Sequence, residues 1–385
     1  MTENNASNYL LSPLVEKGSS KFMSFVFHRY VERALWTFAE LGIADLMANH
    51  EQPLTAIELS EINGNTWNAE FLYRLLRVVA DINIVQQLTL NNEDSTESAN
   101  PENELRFKLT DDGQLLTSNH PSRTRDLVRH SFSSTIEKPS TYLPDMIRDG
   151  YKNGTGFELA FGMNAFDYLK DEKYQQQSVL WSNAMSGHSN YGAASIASIL
   201  NLSNFKVVVD IGGSFGTLLS FILKEHQNLF GIVLDLPNVI ENAQARKPTA
   251  FEDQQIEPAR YQFVSGDMFK SETIPVADVY IMKYILHDWD DEKSIEILNS
   301  IRLANRNCEP KTITLFIVEM LILSDDKSNW MARALDIEMI FLGGSKERTK
   351  REMIELLNKG GYEFKQLYQT NKQYSIIEAT TTNTL

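Results

Sequence analysis

The chain has 385 residues, 42% of them hydrophobic, which is more than one core usually organises, so two globular units are expected. Its 51 acidic and 36 basic residues leave a formal charge of −15, which repels a nucleic-acid backbone over most of the surface. A single cysteine, Cys308, leaves no disulfide framework or cysteine zinc cluster, and no stretch approaches the roughly 18 to 20 apolar residues of a membrane span.

Residues 1–7 are polar rather than signal-like, and with the reduced cysteine content they point to a cytoplasmic protein. Cys308 itself reads as a small residue near a helix end. From Lys21 to Met47, Phe22, Phe25, Phe27, Tyr30, Leu35, Trp36, Phe38, Leu41 and Ile43 cover more than one helix face, predicting a helix buried on several sides. After Pro53, Thr55 and Glu58 form a capping box for a short helix. Asn68 opens a second, with Phe71, Leu72, Leu75, Leu76 and Val79 as its apolar stripe.

Strand-like segments at 82–90 and 105–110 flank the polar run 91–104, which has the composition of a solvated loop. Helix, helix, strand, loop, strand is a winged-helix order. The second helix offers only Arg74 and Arg77 as cations, and the wing carries Glu93, Asp94, Glu97, Glu102 and Glu104, which would repel phosphate. A role in building a dimer or covering a substrate is therefore expected in place of DNA binding. Residues 123–200 read as mostly helical, with aromatic-rich patches such as 157–168.

From Lys206 the pattern becomes short branched strands alternating with helices: 207–211, 231–234, 261–264, 279–282 and 312–318. This is an α/β class, a mostly parallel sheet of Rossmann-like type. It closes with an antiparallel hairpin of 362–369 and 374–379 about the turn 370–373.

The densest signal is Val208-Val209-Asp210-Ile211-Gly212-Gly213-Ser214-Phe215-Gly216, a buried strand running into a glycine turn and the helix 217–225. Glycine there allows a ligand to approach the backbone, although a tight turn with close packing uses the same residues. Ser214 and Thr217 stand where a dinucleotide fingerprint would have its second and third glycines, so a phosphate-free nucleoside fits better than a pyrophosphate. Asp235 falls just past the second strand, where a carboxylate accepts ribose hydroxyls; Asp267 and Met268, in Gly266-Asp267-Met268-Phe269, suit an adenine amine and ring face. Taken singly, Asp235 could cap a helix and Asp267 stabilise a turn.

His287, in Lys283-Tyr284-Ile285-Leu286-His287-Asp288-Trp289, follows the fourth strand, at the edge where ligands of open sheets bind. An imidazole can take a proton from a hydroxyl at neutral pH, and His287 is the candidate base, with a structural role as the plain alternative. Asp288, Asp290, Asp291 and Glu292 read as helix N-terminal charges. Glu319 ends the fifth strand and Glu347 lies in Gly343-Gly344-Ser345-Lys346-Glu347-Arg348-Thr349. Both could converge on His287 or equally serve as surface or cap residues. The seven histidines are scattered, so no metal is expected.

With these motifs in this order, together with Leu109-Thr110-Asp111-Asp112-Gly113 and 161–186, the chain resembles the class I S-adenosylmethionine (SAM)-dependent O-methyltransferases of the caffeic acid, hydroxyindole and bacterial polyketide type. The resemblance implies cofactor contacts at Gly212, Asp235, Asp267, Met268 and Lys283, His287 as general base, and Glu319 and Glu347 flanking it. It implies an acceptor pocket lined by Phe166, Trp181, Met185, His188 and Met339, with a hydroxylated phenol, polyketide or indole as acceptor. It also implies a homodimer whose first helix reaches the partner's active site. Its layout is a winged-helix-like dimerisation domain at 1–122, a helical linker and acceptor-pocket region at 123–200, and a SAM-binding domain at 201–385. Two positions depart from the family: Ser214 replaces a glycine, and Glu338 stands near the acceptor where a neutral residue is usual. Relatives that methylate nitrogen, a ligand-sensing winged-helix protein and a nicotinamide oxidoreductase are the rival readings.

Overall fold

A computed structural model describes residues 17–88, 105–306, 312–323 and 329–382; the 91–104 run and Cys308 lie outside them. The chain divides into two compact units, Met1–Ser133 and Ser134–Leu385.

In the first unit the apolar stretch expected as one helix is two. α1 (Gly18–Glu40) stops before Gly42, whose φ of +68° turns the chain into α2 (Ile43–Ala48). The apolar pattern runs through the break because Phe38, Ile43 and Ala44 all enter one core. Thr55 and Glu58 make the expected capping box, each side chain taking the other's backbone N–H, and start α3 (Ala56–Ile62). Asn68 caps α4 (Ala69–Asp81). β1 (Val85–Leu88) and β2 (Arg106–Leu109) pair antiparallel, and Leu54 bridges to Phe107. The helix Thr124–Ser131 lies against α1: Trp36 Nε1 donates to the Arg129 carbonyl at 3.1 Å and Arg129 pairs with Glu40 at 2.8 Å. Much of α1 stays exposed, with Phe22 at 70%, Phe27 at 58% and Tyr30 at 65%, so the expected burial on several sides is not met within one chain.

In the second unit, β3 (Val207–Ile211), β4 (Phe230–Asp235), β5 (Tyr261–Ser265), β6 (Val279–Lys283), β7 (Thr314–Glu319), β8 (Tyr362–Gln369) and β9 (Ser375–Thr381) form one sheet in the order β5-β4-β3-β6-β7-β9-β8. The first five are parallel, and β9 runs antiparallel between β7 and β8. Successive side chains alternate faces: Val208, Ile281 and Val318 enter one core, and Val209, Met282 and Ile317 the other. Burial on both faces explains why these strands read as continuous apolar runs. Parallel strands end on one edge, which brings Gly212, Asp235, Asp267, Lys283 and Glu319 to the same side of the sheet.

Candidate active site

The glycine turn is built for close approach. Gly212 has φ +66°, and a side chain there would collide with Ile285 Cδ1. Ser214 also adopts a positive φ, +51°, and its N–H donates to Asp235 Oδ2 at 2.8 Å. Asp235 takes the Leu236 N–H on its other oxygen at 2.8 Å. These two bonds fix the carboxylate at the end of β4, and the helix that follows, Pro237–Ala245, has Leu236 as its N-cap with no side-chain cap bond. Burial raises the pKa of Asp235 despite the bonds.

Asp267 makes the turn bond that the sequence allowed. Its Oδ1 accepts the Phe269 N–H at 3.0 Å, a turn bond, and it stands at the next strand end, where Gly266 N–H donates to the Asp235 carbonyl at 2.9 Å. Met268 is half-buried beside it. At the end of β6, burial lowers Lys283 to a pKa of about 8, against the pull of Glu319 and Asp210. Asp210, deep under the turn, is raised by burial to about 7. The open glycine backbone and a fixed acid at the second strand end suit a nucleoside bearing free hydroxyls, as S-adenosylmethionine does.

His287 sits in a short turn, Leu286–Asp288, directly after β6. A carboxylate only accepts, so Nδ1–H donates to Glu347 Oε1, at 2.6 Å. Glu319 Oε2 lies 3.9 Å from the same nitrogen, and Glu319 Oε1 accepts the Leu286 N–H at 3.2 Å. Glu319 Oε2 and Glu347 Oε2 are buried without a hydrogen-bond partner. Burial disfavours a charged imidazole, yet Asp288, Glu319 and Glu347 outweigh it and push His287 up to about 10. Burial raises Glu319 to about 7, against the attraction of His287. His287 and Glu319 therefore titrate as interacting groups of one carboxylate-rich cluster.

Two residues that the sequence does not assign to the site lie against His287 or the backbone beside it. Asp288, expected to serve the following helix, lies 3.4 Å from His287 Nε2; the helix Asp291–Ala304 is capped by Asp290. Arg348, fully buried, donates to the Leu286 carbonyl at 2.6 Å and the Trp289 carbonyl at 2.9 Å, and pairs with Asp291 at 2.9 Å. It clamps the backbone on both sides of His287. Its signal was its place between Glu347 and Thr349, which opens the helix Lys350–Lys359 with a capping box.

Trp181, Met185 and His188 recur at helical spacing on one helix, Gln175–Ile199. Trp181 packs with Met339 in a cluster that includes Phe157 and Tyr168. His188 meets the Tyr284 ring edge-on, at 6.2 Å. Phe166 stacks on Trp289, two residues past His287, at 5.1 Å. Glu338 is half-buried, its carboxyl pKa raised by burial, with His287 and Glu347 in its surroundings. The structure joins His287, Glu319 and Glu347 directly, and Met185 shares a helix with Trp181 and His188.

Residues 141–363 match the O-methyltransferase domain, and residues 23–119 match the O-methyltransferase dimerisation domain. The chain belongs to the O-methyltransferase family. It is 32% identical to the phenazine O-methyltransferase PhzM of Lysobacter antibioticus, over 98% of this chain and 99% of that one. The crystal structure of LaPhzM superposes with a TM-score of 0.79 at 29% identity, covering 94% of this chain and 99% of the other. Human N-acetylserotonin methyltransferase in complex with SAM shares the fold, with a TM-score of 0.80 at 21% identity over 95% and 99%. This O-methyltransferase uses S-adenosylmethionine, carries a dimerisation domain, and has no helix among the described residues long and apolar enough to cross a membrane. The sensor and oxidoreductase readings fall with that membership.

Proposed function

We propose that this O-methyltransferase methylates a hydroxyl of a small aromatic acceptor, a phenol or polyketide, with His287 as general base. The observation that carries the proposal is the 2.6 Å bond from Nδ1 to Glu347 at the ligand edge of the sheet. With Nδ1 spent on Glu347, Nε2 is the nitrogen left to take the acceptor's proton. Glu347 fixes the tautomer and supports the imidazolium that forms, and Glu319 adds charge and braces Leu286.

S-adenosylmethionine, when bound, supplies a sulfonium methyl that is already a strong electrophile. Gly212, Asp235, Asp267, Met268 and Lys283 would hold it. The chain's own contribution is alignment and proton removal. Phe166, Trp181, Met185, His188 and Met339 would offer the flat apolar walls an aromatic acceptor needs, and the phenazine O-methyltransferase among the relatives supports that class. Glu338 would accept a hydrogen bond from a second hydroxyl or amine of the acceptor. Glu338→Gln should then change the ranking of acceptors that differ only in that group, and an unchanged ranking would remove the role.

The reaction proposed is metal-free. His287, Glu319 and Glu347 could each offer a ligand atom within 4.8 Å of one another, but the Nδ1 separation is a hydrogen bond that occupies that nitrogen. The functional layout proposed is dimerisation through 1–122, acceptor binding through 123–200 and cofactor binding through 201–385, in a cytoplasmic homodimer. The exposed apolar residues of α1 and the dimerisation-domain match support the dimer.

The test is transfer of a labelled methyl from S-adenosylmethionine to pooled phenols, polyketides and hydroxyindoles by wild type and His287→Ala. Transfer lost with the histidine supports the base. Equal transfer by both removes it.

A further inference from the structure

The Tyr284 ring lies stacked on the His287 imidazole, centroids 4.7 Å apart and planes 14° from parallel, a contact that no step above uses. We propose that Tyr284 is a positioning residue for the base: its ring sets the plane of the imidazole, and its electron-rich face favours the imidazolium formed as the acceptor loses its proton. This rests on the reading of His287 as the base.

The backbone is bent to make the stack. Tyr284 has φ +54°, a left-handed conformation that a bulky side chain rarely adopts and that persists where its surroundings impose it. Its N–H donates to the Val318 carbonyl at 3.1 Å, pinning the kink between β6 and β7. The kink carries the ring back over the residue three positions on. Tyr374 lies 5.6 Å from the ring and His188 meets it edge-on, so it is held from more than one side. Burial raises the phenol pKa well above its ordinary value, so the side chain presents a neutral ring.

A neutral imidazole gains dispersion from such a stack. An imidazolium gains, in addition, the attraction of the ring's negative face. Favouring the charged form raises the pKa of the base and eases proton removal. The other charged groups facing His287 are Asp288 on its own turn, Glu319 on β7, and Glu338 and Glu347 from the helix Trp330–Leu342 and the loop after it. Lys283 lies over the same tyrosine ring, Nζ 4.0 Å from its centroid. All of these remain in a Tyr284 variant; Lys283 loses its ring contact along with His287, so Tyr284→Phe, which keeps the ring face for both, is the reference for the aliphatic variants.

The decisive measurement is the His287 titration in full-length protein labelled with [13Cε1]histidine, the resonance assigned by its loss in His287→Gln. Tyr284→Phe keeps the face and should titrate like wild type, within about 0.2 pH unit. Tyr284→Leu and Tyr284→Met should titrate about half a unit to one unit lower. Pentafluorophenylalanine at position 284 keeps the shape but reverses the ring's polarity, and should also titrate lower. That variant decides the matter if thermal melting shows Leu and Met to be unfolded. The acid limb of kcat with the best acceptor of the pool should move down with the pKa, and kcat at its plateau should fall about threefold to tenfold. Equal titration of wild type and the fluorinated or aliphatic variants overturns the proposal, as does Phe moving as far as Leu. Methyl transfer retained by His287→Gln instead overturns the base reading, and with it the catalytic meaning of the stack, whatever the titration shows.

Discussion

His287 gathers more negative charge than an imidazole needs, and the consequences can be signed. Asp288, Glu319 and Glu347 surround it and hold its pKa near 10, well above the ordinary 6.5. A base must be neutral to act, so the acid limb of the pH–rate profile should lie above 6.5. Glu347→Gln keeps the shape of the Nδ1 partner and removes its charge. The imidazolium then loses support, the acid limb moves to lower pH, and kcat falls about 10- to 100-fold, which a pH series of initial rates would measure. The same pair affects stability. A group whose folded pKa is raised stabilises the fold fully below its unfolded value near 6.5, and that contribution fades as pH rises through about 10. The wild-type melting temperature should therefore fall between pH 7 and 10 by more than that of Glu347→Gln. Equal slopes would show that the pair does not couple to folding.

Elements hold this cluster as much as side chains do. β6 delivers His287, β7 delivers Glu319, and the loop before the helix Lys350–Lys359 delivers Glu347. Arg348 ties the last to the first through the Leu286 and Trp289 carbonyls. Arg348→Met would leave buried acceptors and Asp291 unpaired, at a cost of about 2 to 4 kcal/mol. Urea unfolding should show that loss, with cofactor affinity falling less than turnover. Much of this architecture was legible in the sequence, because strand alternation, the Thr55–Glu58 box and the Gly212 turn are set by neighbours a few residues away. The break at Gly42 was not, since apolar residues on both sides of it enter one core and continue the pattern. Nor were Arg348, Asp288 and Tyr284. Their roles depend on partners 57 to 62 positions off for Arg348, or on local backbone folds that composition does not encode.

At the scale of the molecule, charge and apolar surface act in opposition. Two chains at −15 each repel at long range, so a homodimer must be held by contact rather than by attraction across the approach. α1 offers that contact: Phe22 and Phe27 are 70% and 58% exposed on a helix that falls within the matched dimerisation domain from residue 23 onward. Full burial of one such side chain contributes roughly 1.5 to 3 kcal/mol. Placing a carboxylate there removes the gain and adds to the repulsion. Phe22→Glu with Phe27→Glu should therefore sediment as the 43.9 kDa monomer at concentrations where wild type runs at twice that mass. Salt provides the second arm. Screening shortens the range of the repulsion to about 8 Å at physiological ionic strength, so wild-type association should tighten from low salt to physiological salt. The variant, lacking the apolar contact, should remain monomeric throughout. A variant that stays dimeric would move the interface off α1. A monomer that binds S-adenosylmethionine yet transfers no methyl would mean that the partner's first helix completes the acceptor pocket.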